Sequence, residues 1–166
     1  MKKINSKKKG SRTELELVKI LEERFGKGRF KRTPQSGAHV GGKNQEGATN
    51  LPFEAKITLV SDLIVPVDFR FVIEHKSYKE ASFWDLFNEW SDLHDWLLQV
   101  EDDAKFVDRE PMLIVKYNRK KRITYTKRKS RFSGYIFKHN GWYCYWLEPL
   151  LEQNDSFWFR VNPDEV

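Results

Sequence analysis

After Ser11 the apolar residues recur at helical spacing. Leu17, Val18, Leu21 and Phe25 fall on one face, and Gly26 and Gly28 close the pattern. Residues 30–33 predict a short strand. Residues 34–50 are rich in Gly, Ser, Asn and Gln and show no period, which predicts a long loop of the kind that is either functional or mobile. Residues 56–60, 63–67 and 69–73 read as strands, the last two as nearly continuous apolar runs suited to burial on both faces. The strongest helical pattern spans residues 83–100, with Phe83, Phe87, Trp90 and Leu97 in one stripe and Trp84, Leu93 and Val100 beside it. Residues 112–117 predict another buried strand, and residues 122–125 a partner for it in a hairpin. Residues 135–137, 142–147 and 157–161 are three further strand candidates. This order of helix, strands, helix and strands predicts an α/β sandwich around a mixed sheet.

The chain is 166 residues long and 39% hydrophobic, enough for one domain with a real core and too apolar for a wholly disordered chain. No apolar run approaches the roughly 20 residues of a membrane span. No apolar segment follows the basic N-terminal stretch, so neither a membrane partner nor a signal peptide is expected. The single Cys144 excludes an intrachain disulfide and a multi-cysteine zinc site, and points to a reducing, cytoplasmic setting. Charge is segregated. Residues 1–32 carry a net +8 and residues 111–138 a net +10, with −7 over residues 74–110 between them. Such blocks suggest a basic face that meets phosphates, with a merely solvated basic surface as the alternative. Residues 1–10 read as a flexible basic arm.

Asp62 opens an apolar run, and Glu74, His75 and Lys76 close another. Alternation on a strand turns Glu74 and Lys76 to one face and His75 to the other. A hairpin joining the two strands can bring Asp62 beside Glu74. Paired carboxylates repel unless a cation lies between them, and oxygen ligands suit Mg²⁺ or Mn²⁺. A neighbouring lysine can assist an attacking water or neutralise charge on phosphate, so the set fits phosphodiester hydrolysis. The alternative is an exposed, weak strand-end ion pair between Glu74 and Lys76.

With these residues the chain resembles the PD-(D/E)xK nuclease superfamily, and within it the archaeal-type Holliday-junction resolvases that some phages also carry. Lys9-Gly10-Ser11-Arg12-Thr13-Glu14-Leu15-Glu16-Leu17 is similar to the K-G-x-x-x-E-x-E-L that opens those enzymes. Arg32 with Ser36-Gly37 resembles their R-x-x-G-S loop, and the run from Pro111 to Tyr117 resembles their late core strand. Ser61 stands where a proline usually precedes the aspartate, the span between Arg32 and Asp62 is long, and the aromatic residues after Arg131 have no counterpart.

The resemblance implies a restriction-endonuclease-like core, an α/β fold with a central mixed β-sheet flanked by helices. It occupies residues 11–131, with residues 132–166 as an aromatic β-rich extension packed on it. It implies an Mg²⁺- or Mn²⁺-dependent endodeoxyribonuclease, a crossover junction endonuclease that cuts branched double-stranded DNA as a homodimer, in the host cytoplasm if a phage encodes it. A nicking or restriction-like enzyme of the same fold, and a non-catalytic nucleic-acid-binding module, are the alternatives. It gives Asp62 and Glu74 as metal ligands with the backbone carbonyl of His75, Lys76 as the group acting on water, and Glu14 as a first-helix carboxylate close to the metal. Ser11 to Glu14 also fits a helix capping box, so Glu14 has a structural alternative. Arg32 is an expected phosphate contact. Lys7, Lys8, Lys9, Arg12, Lys43, Arg119, Lys120, Lys121, Lys127, Arg128 and Lys129 complete the expected DNA-binding set.

Other groups carry less. His39, His75, His94 and His139 lack zinc-ligand spacing, and Gly41-Gly42-Lys43 lacks the context of a phosphate loop. Trp84, Trp90 and Trp96 suit core packing or a subunit seam. The stretch from Trp142 to Trp146 alternates like a core strand, and it also offers rings on which unpaired bases could stack.

Overall fold

The structure is a computed structural model, and it describes residues 6–34, 50–52, 55–56, 60–80, 82, 85, 87–88, 91–131 and 134–160, with side chains from Gly10 onward. Helix α1 (Ser6–Phe25) buries Leu17, Val18, Leu21 and Phe25 on the face that the periodicity predicts. It stops where Gly26 and Gly28 take positive φ of 108° and 80°, open to glycine without steric cost. It starts at Ser6, before the expected Ser11. Residues 6–10 are therefore helical and not an unstructured arm, and Ser11 is not an N-cap. Lysine is a good helix former, and Thr13 Oγ1 donates back to the Gly10 carbonyl at 2.9 Å, a bond made inside helices.

Strands β1 (Lys31–Arg32) and β2 (Leu63–Ile64) form a short antiparallel pair in which Arg32 faces Leu63. Where a strand is expected at 56–60, Lys56 is helical, and residues 57–59 lie outside the described residues. Lys56 N–H donates to Pro52 O and Val60 N–H to Lys56 O, each at 3.1 Å. Lys56 Nζ lies 5.3 Å from the Phe106 ring centroid, which docks the turn. Residues 35–49, including most of the predicted loop, lie outside the described residues.

The main sheet has five strands in the order β3 (Phe71–Tyr78), β4 (Glu110–Tyr117), β5 (Arg122–Thr126), β7 (Trp142–Trp146) and β6 (Phe137–His139). β3 and β4 are parallel and every other pair is antiparallel. A parallel pair needs a crossover, and helix α2 (Asp92–Phe106) supplies it. The helix expected at 83–100 is thus displaced towards the C-terminus. Ser91 caps it, its side chain accepting from the His94 N–H, and Asp92 and Asp95 favour the first turn. Phe87 stays outside it, in an exposed turn, while Trp84 and Trp90 lie outside the described residues.

Each face of the sheet has its own core. Towards α1 lie Phe71, Ile73, Met112, Ile114 and Tyr145, and towards α2 lie Val72, Leu113, Val115, Tyr125 and Cys144. Two short helices, α3 (Leu147–Leu151) and α4 (Asp155–Trp158), finish the α1-side core. The expected strand at 157–161 is helical at Phe157 and Trp158, followed by one bridge between Phe159 and Phe69; Val161 lies outside the described residues. Trp158 is wholly buried and packs with Phe25, Phe69, Phe71 and Phe157. The aromatic C-terminal segment is part of the core rather than a layer on it, since β7 is bonded between β5 and β6. A mixed sheet flanked by helices is consistent with a restriction-endonuclease-like core. No helix among the described residues is long and apolar enough to cross a membrane.

Candidate active site

Alternation along β3 sends Glu74 and Lys76 to the α2 face with Val72, and His75 to the α1 face with Ile73. Lys76 Nζ lies 2.5 Å from Glu74 Oε1. Gln99, from α2, closes a triangle. Its Nε2 donates to Glu74 Oε1 at 3.2 Å, and its Oε1 accepts from Lys76 Nζ at 3.3 Å. One turn along α2 stands Asp103, 1% exposed and charged towards both Glu74 and Lys76.

Asp62 arrives from the β1–β2 side. Its N–H donates to Ile73 O at 3.3 Å, and its carbonyl accepts from Thr33 N–H at 2.9 Å. Its Oδ2 accepts from the His75 N–H at 2.8 Å. The Asp62 carboxylate is thereby tied to the backbone between Glu74 and Lys76, the juxtaposition expected of the two acids.

The pair is not an exposed strand-end salt bridge. Glu74 is 5% exposed. Burial pushes its carboxyl well above the usual carboxylate range, the neighbouring Asp62 charge adds to this, and Lys76 opposes it. Burial lowers the Lys76 ammonium, but Glu74 beside it more than offsets this, so Lys76 is held above its usual range. His75 is pushed down to about 3, by burial first and then by Arg122 and Lys76, and is neutral at physiological pH.

Glu14 is buried in the interior of α1, and its carboxylate accepts from Arg32 Nε. This ion pair takes the place of the capping box. It stands near Asp62 through the backbone, since Arg32 pairs with Leu63 and Thr33 bonds Asp62.

The basic residues divide. Arg119, Lys120 and Lys121 are exposed on the turn between β4 and β5, where Arg119 has φ of 58°. Arg12 is exposed beside Glu16, at 3.6 Å. Lys127 and Arg128 are engaged by acids, Glu101 at 2.6 Å and Glu110 at 2.7 Å, whereas Lys129 is exposed. Lys7, Lys8 and Lys9 lie on α1 with side chains outside the described residues, as Lys43 does entirely.

Sequence reasoning missed Gln99 and Asp103. Their one legible signal is polar spacing of i, i+4 beside the apolar Val100 and Ala104, on a helix whose facing strand is unknown until the chain folds.

Among the described residues no three His, Cys, Asp or Glu side chains converge as metal ligands. The donors still fit Mg²⁺ or Mn²⁺. Two buried carboxylates stand side by side, the Asp62 charge raising the cost of ionising Glu74, and a hard cation that keeps several waters needs only one or two of them.

A family model described as "Phage putative PDDEXK endonuclease" matches residues 5–143, a span that holds every residue of this site. No curated protein and no solved structure matches the chain.

Proposed function

The chain belongs to this phage PDDEXK endonuclease family, and from that premise we propose that it is an Mg²⁺- or Mn²⁺-dependent endonuclease acting on branched double-stranded DNA. Four-way (Holliday) junctions are its first candidate substrate, a homodimer its working form and the host cytoplasm its setting. The observation that carries the reading is the buried Glu74 carboxylate paired with the half-buried Lys76, with Asp62 bonded to the peptide between them. Burying two acids beside a half-buried lysine costs stability that an apolar cluster would not, so their presence together is best explained by chemistry.

In this reading Asp62, Glu74 and the His75 carbonyl hold the metal, with Glu14 near it. A bound Mg²⁺ supplies charge neutralisation at the phosphate oxygens. Lys76 orients the attacking water and donates to the phosphate, where charge grows in the transition state. Gln99 holds Lys76 and Glu74 in register. Arg32 positions Glu14 and stands ready for a phosphate. Arg12, Arg119, Lys120, Lys121 and Lys129 supply backbone contacts that favour DNA shape over base sequence. Two symmetric cuts need two active sites, and a closed two-fold dimer is the simplest way to bring them.

The test is cleavage of a four-way junction, a supercoiled plasmid and a linear duplex side by side, with and without Mg²⁺. Metal-dependent paired cuts in the junction are expected, and Asp62→Asn should abolish them while junction binding in Ca²⁺ persists. Faster cutting of plasmid than junction would favour a nicking or restriction-like enzyme. No cutting of any DNA with either metal would leave only a binding module.

A further inference from the structure

Lys76, Val115, Ile123 and Trp146 stand directly opposite one another on β3, β4, β5 and β7. Residues paired in this way project from one face of a sheet. The row therefore begins at the candidate catalytic lysine and ends at an indole, on the same face. Three strand spacings of about 4.8 Å set the two ends about 14 Å apart. Trp142, on the same strand and face, is 7% exposed, but Trp146 is 39% exposed.

Trp146 and Ile123 line a cleft of about 1010 Å³ at this end of the sheet. Arg12, Lys79, Arg119 and Lys120 line it too, with Glu80 as the one acid among the described lining residues, and Tyr117 adds a second ring. An aromatic floor ringed by cations suits a flat, apolar base joined to phosphates. A paired base is shut inside the duplex stack and offers no free face, so an unpaired nucleotide fits where a duplex does not.

We propose that this cleft holds an unpaired nucleotide of the DNA substrate, its base stacked on Trp146 and its phosphates on Arg119 and Lys120. It lies a few nucleotides from the bond cut beside Lys76. The inference rests on the nuclease reading above and deepens it: a branched DNA with a single-stranded stretch beside the branch is held more tightly than a fully paired four-way junction.

The test uses one duplex in three forms, blunt, with an oligo(dT) tail at a 5′ end and with the same tail at a 3′ end. Binding is measured with Ca²⁺ in place of Mg²⁺ at fixed salt. One tail should tighten binding at least about fivefold, Trp146→Ala should erase that ratio, and Trp146→Phe should keep most of it. Should alanine loosen β7, Trp146→Leu keeps apolar bulk beside Ile123 without an aromatic face and should erase the ratio equally. Equal affinity for tailed and blunt DNA, or a ratio unchanged by Trp146→Ala and Trp146→Leu, overturns the inference. The nuclease reading then still stands on cleavage of the blunt or junction DNA. Failure to bind any of the three forms, together with failure to cut any DNA with metal, overturns both.

Discussion

Gln99 uses both ends of its amide at once, accepting a hydrogen bond from Lys76 and donating one to Glu74. Leucine there removes both bonds at similar size. Gln99→Leu should slow cleavage about 10- to 100-fold, the range seen when groups supporting a metal site are removed, and leave junction affinity in Ca²⁺ nearly unchanged. Rate and affinity measured on the same junction check this; equal losses in both would make Gln99 a binding residue. Asp62, Glu74 and Lys76 are legible in the sequence because a period of two carries Glu74 and Lys76 to one face and an apolar run flags each strand. Gln99 and Asp103 are not, because a helix residue acquires its role from a strand more than 20 positions away. Glu14 reads from the sequence as a site carboxylate with a cap as its alternative, and the cap falls away once α1 is seen to begin at Ser6 and Arg32 to pair with Glu14.

At the scale of elements, local signals decide less than termini and partners. The aromatic stripe from Phe83 suggests a helix, but Ser91 sets where α2 begins. Ser91→Ala should cost about 1 kcal/mol in urea unfolding, and Phe87→Ser, at an exposed turn outside the helix, should cost less than about half that. The reverse order would restore the longer helix. The β4–β5 hairpin is legible because strand pattern and turn agree. Residues 157–158 are not, since the aromatic residues there serve tertiary packing, with Trp158 in the α1-side core, and Val60 is likewise buried towards α2 rather than paired in a strand.

Across the whole molecule, the basic segments of the sequence are not equally free to meet DNA. Lys127 and Arg128 answer Glu101 and Glu110, which belong to the acidic segment between the two basic ones. Arg119, Lys120 and Lys121 project on the β4–β5 turn beside the cleft. Neutralising those three to Gln should flatten the slope of log affinity against log salt by about 0.9 for each phosphate that is no longer neutralised, so up to roughly 3 in all. Neutralising Lys127 and Arg128 should change the slope by less than about 0.9. Junction binding titrated from low to high salt measures both, and the opposite ranking would move the DNA face to the far side of α2.

The α1-side aromatic cluster also sets an order in time. Phe25 touches Trp158 and Phe159, with ring centroids 5.4 and 5.3 Å away, across most of the chain. Closing so long a loop costs entropy that no local contact repays in advance, whereas the β4–β5 hairpin closes cheaply. The clasp should therefore lock last, after the rate-limiting barrier has been crossed. Phe159→Leu should speed unfolding several-fold in stopped-flow experiments and leave refolding almost unchanged. A fully assembled clasp then acts as a brake on unfolding, giving the nuclease its persistence through kinetics rather than through a faster route to the fold.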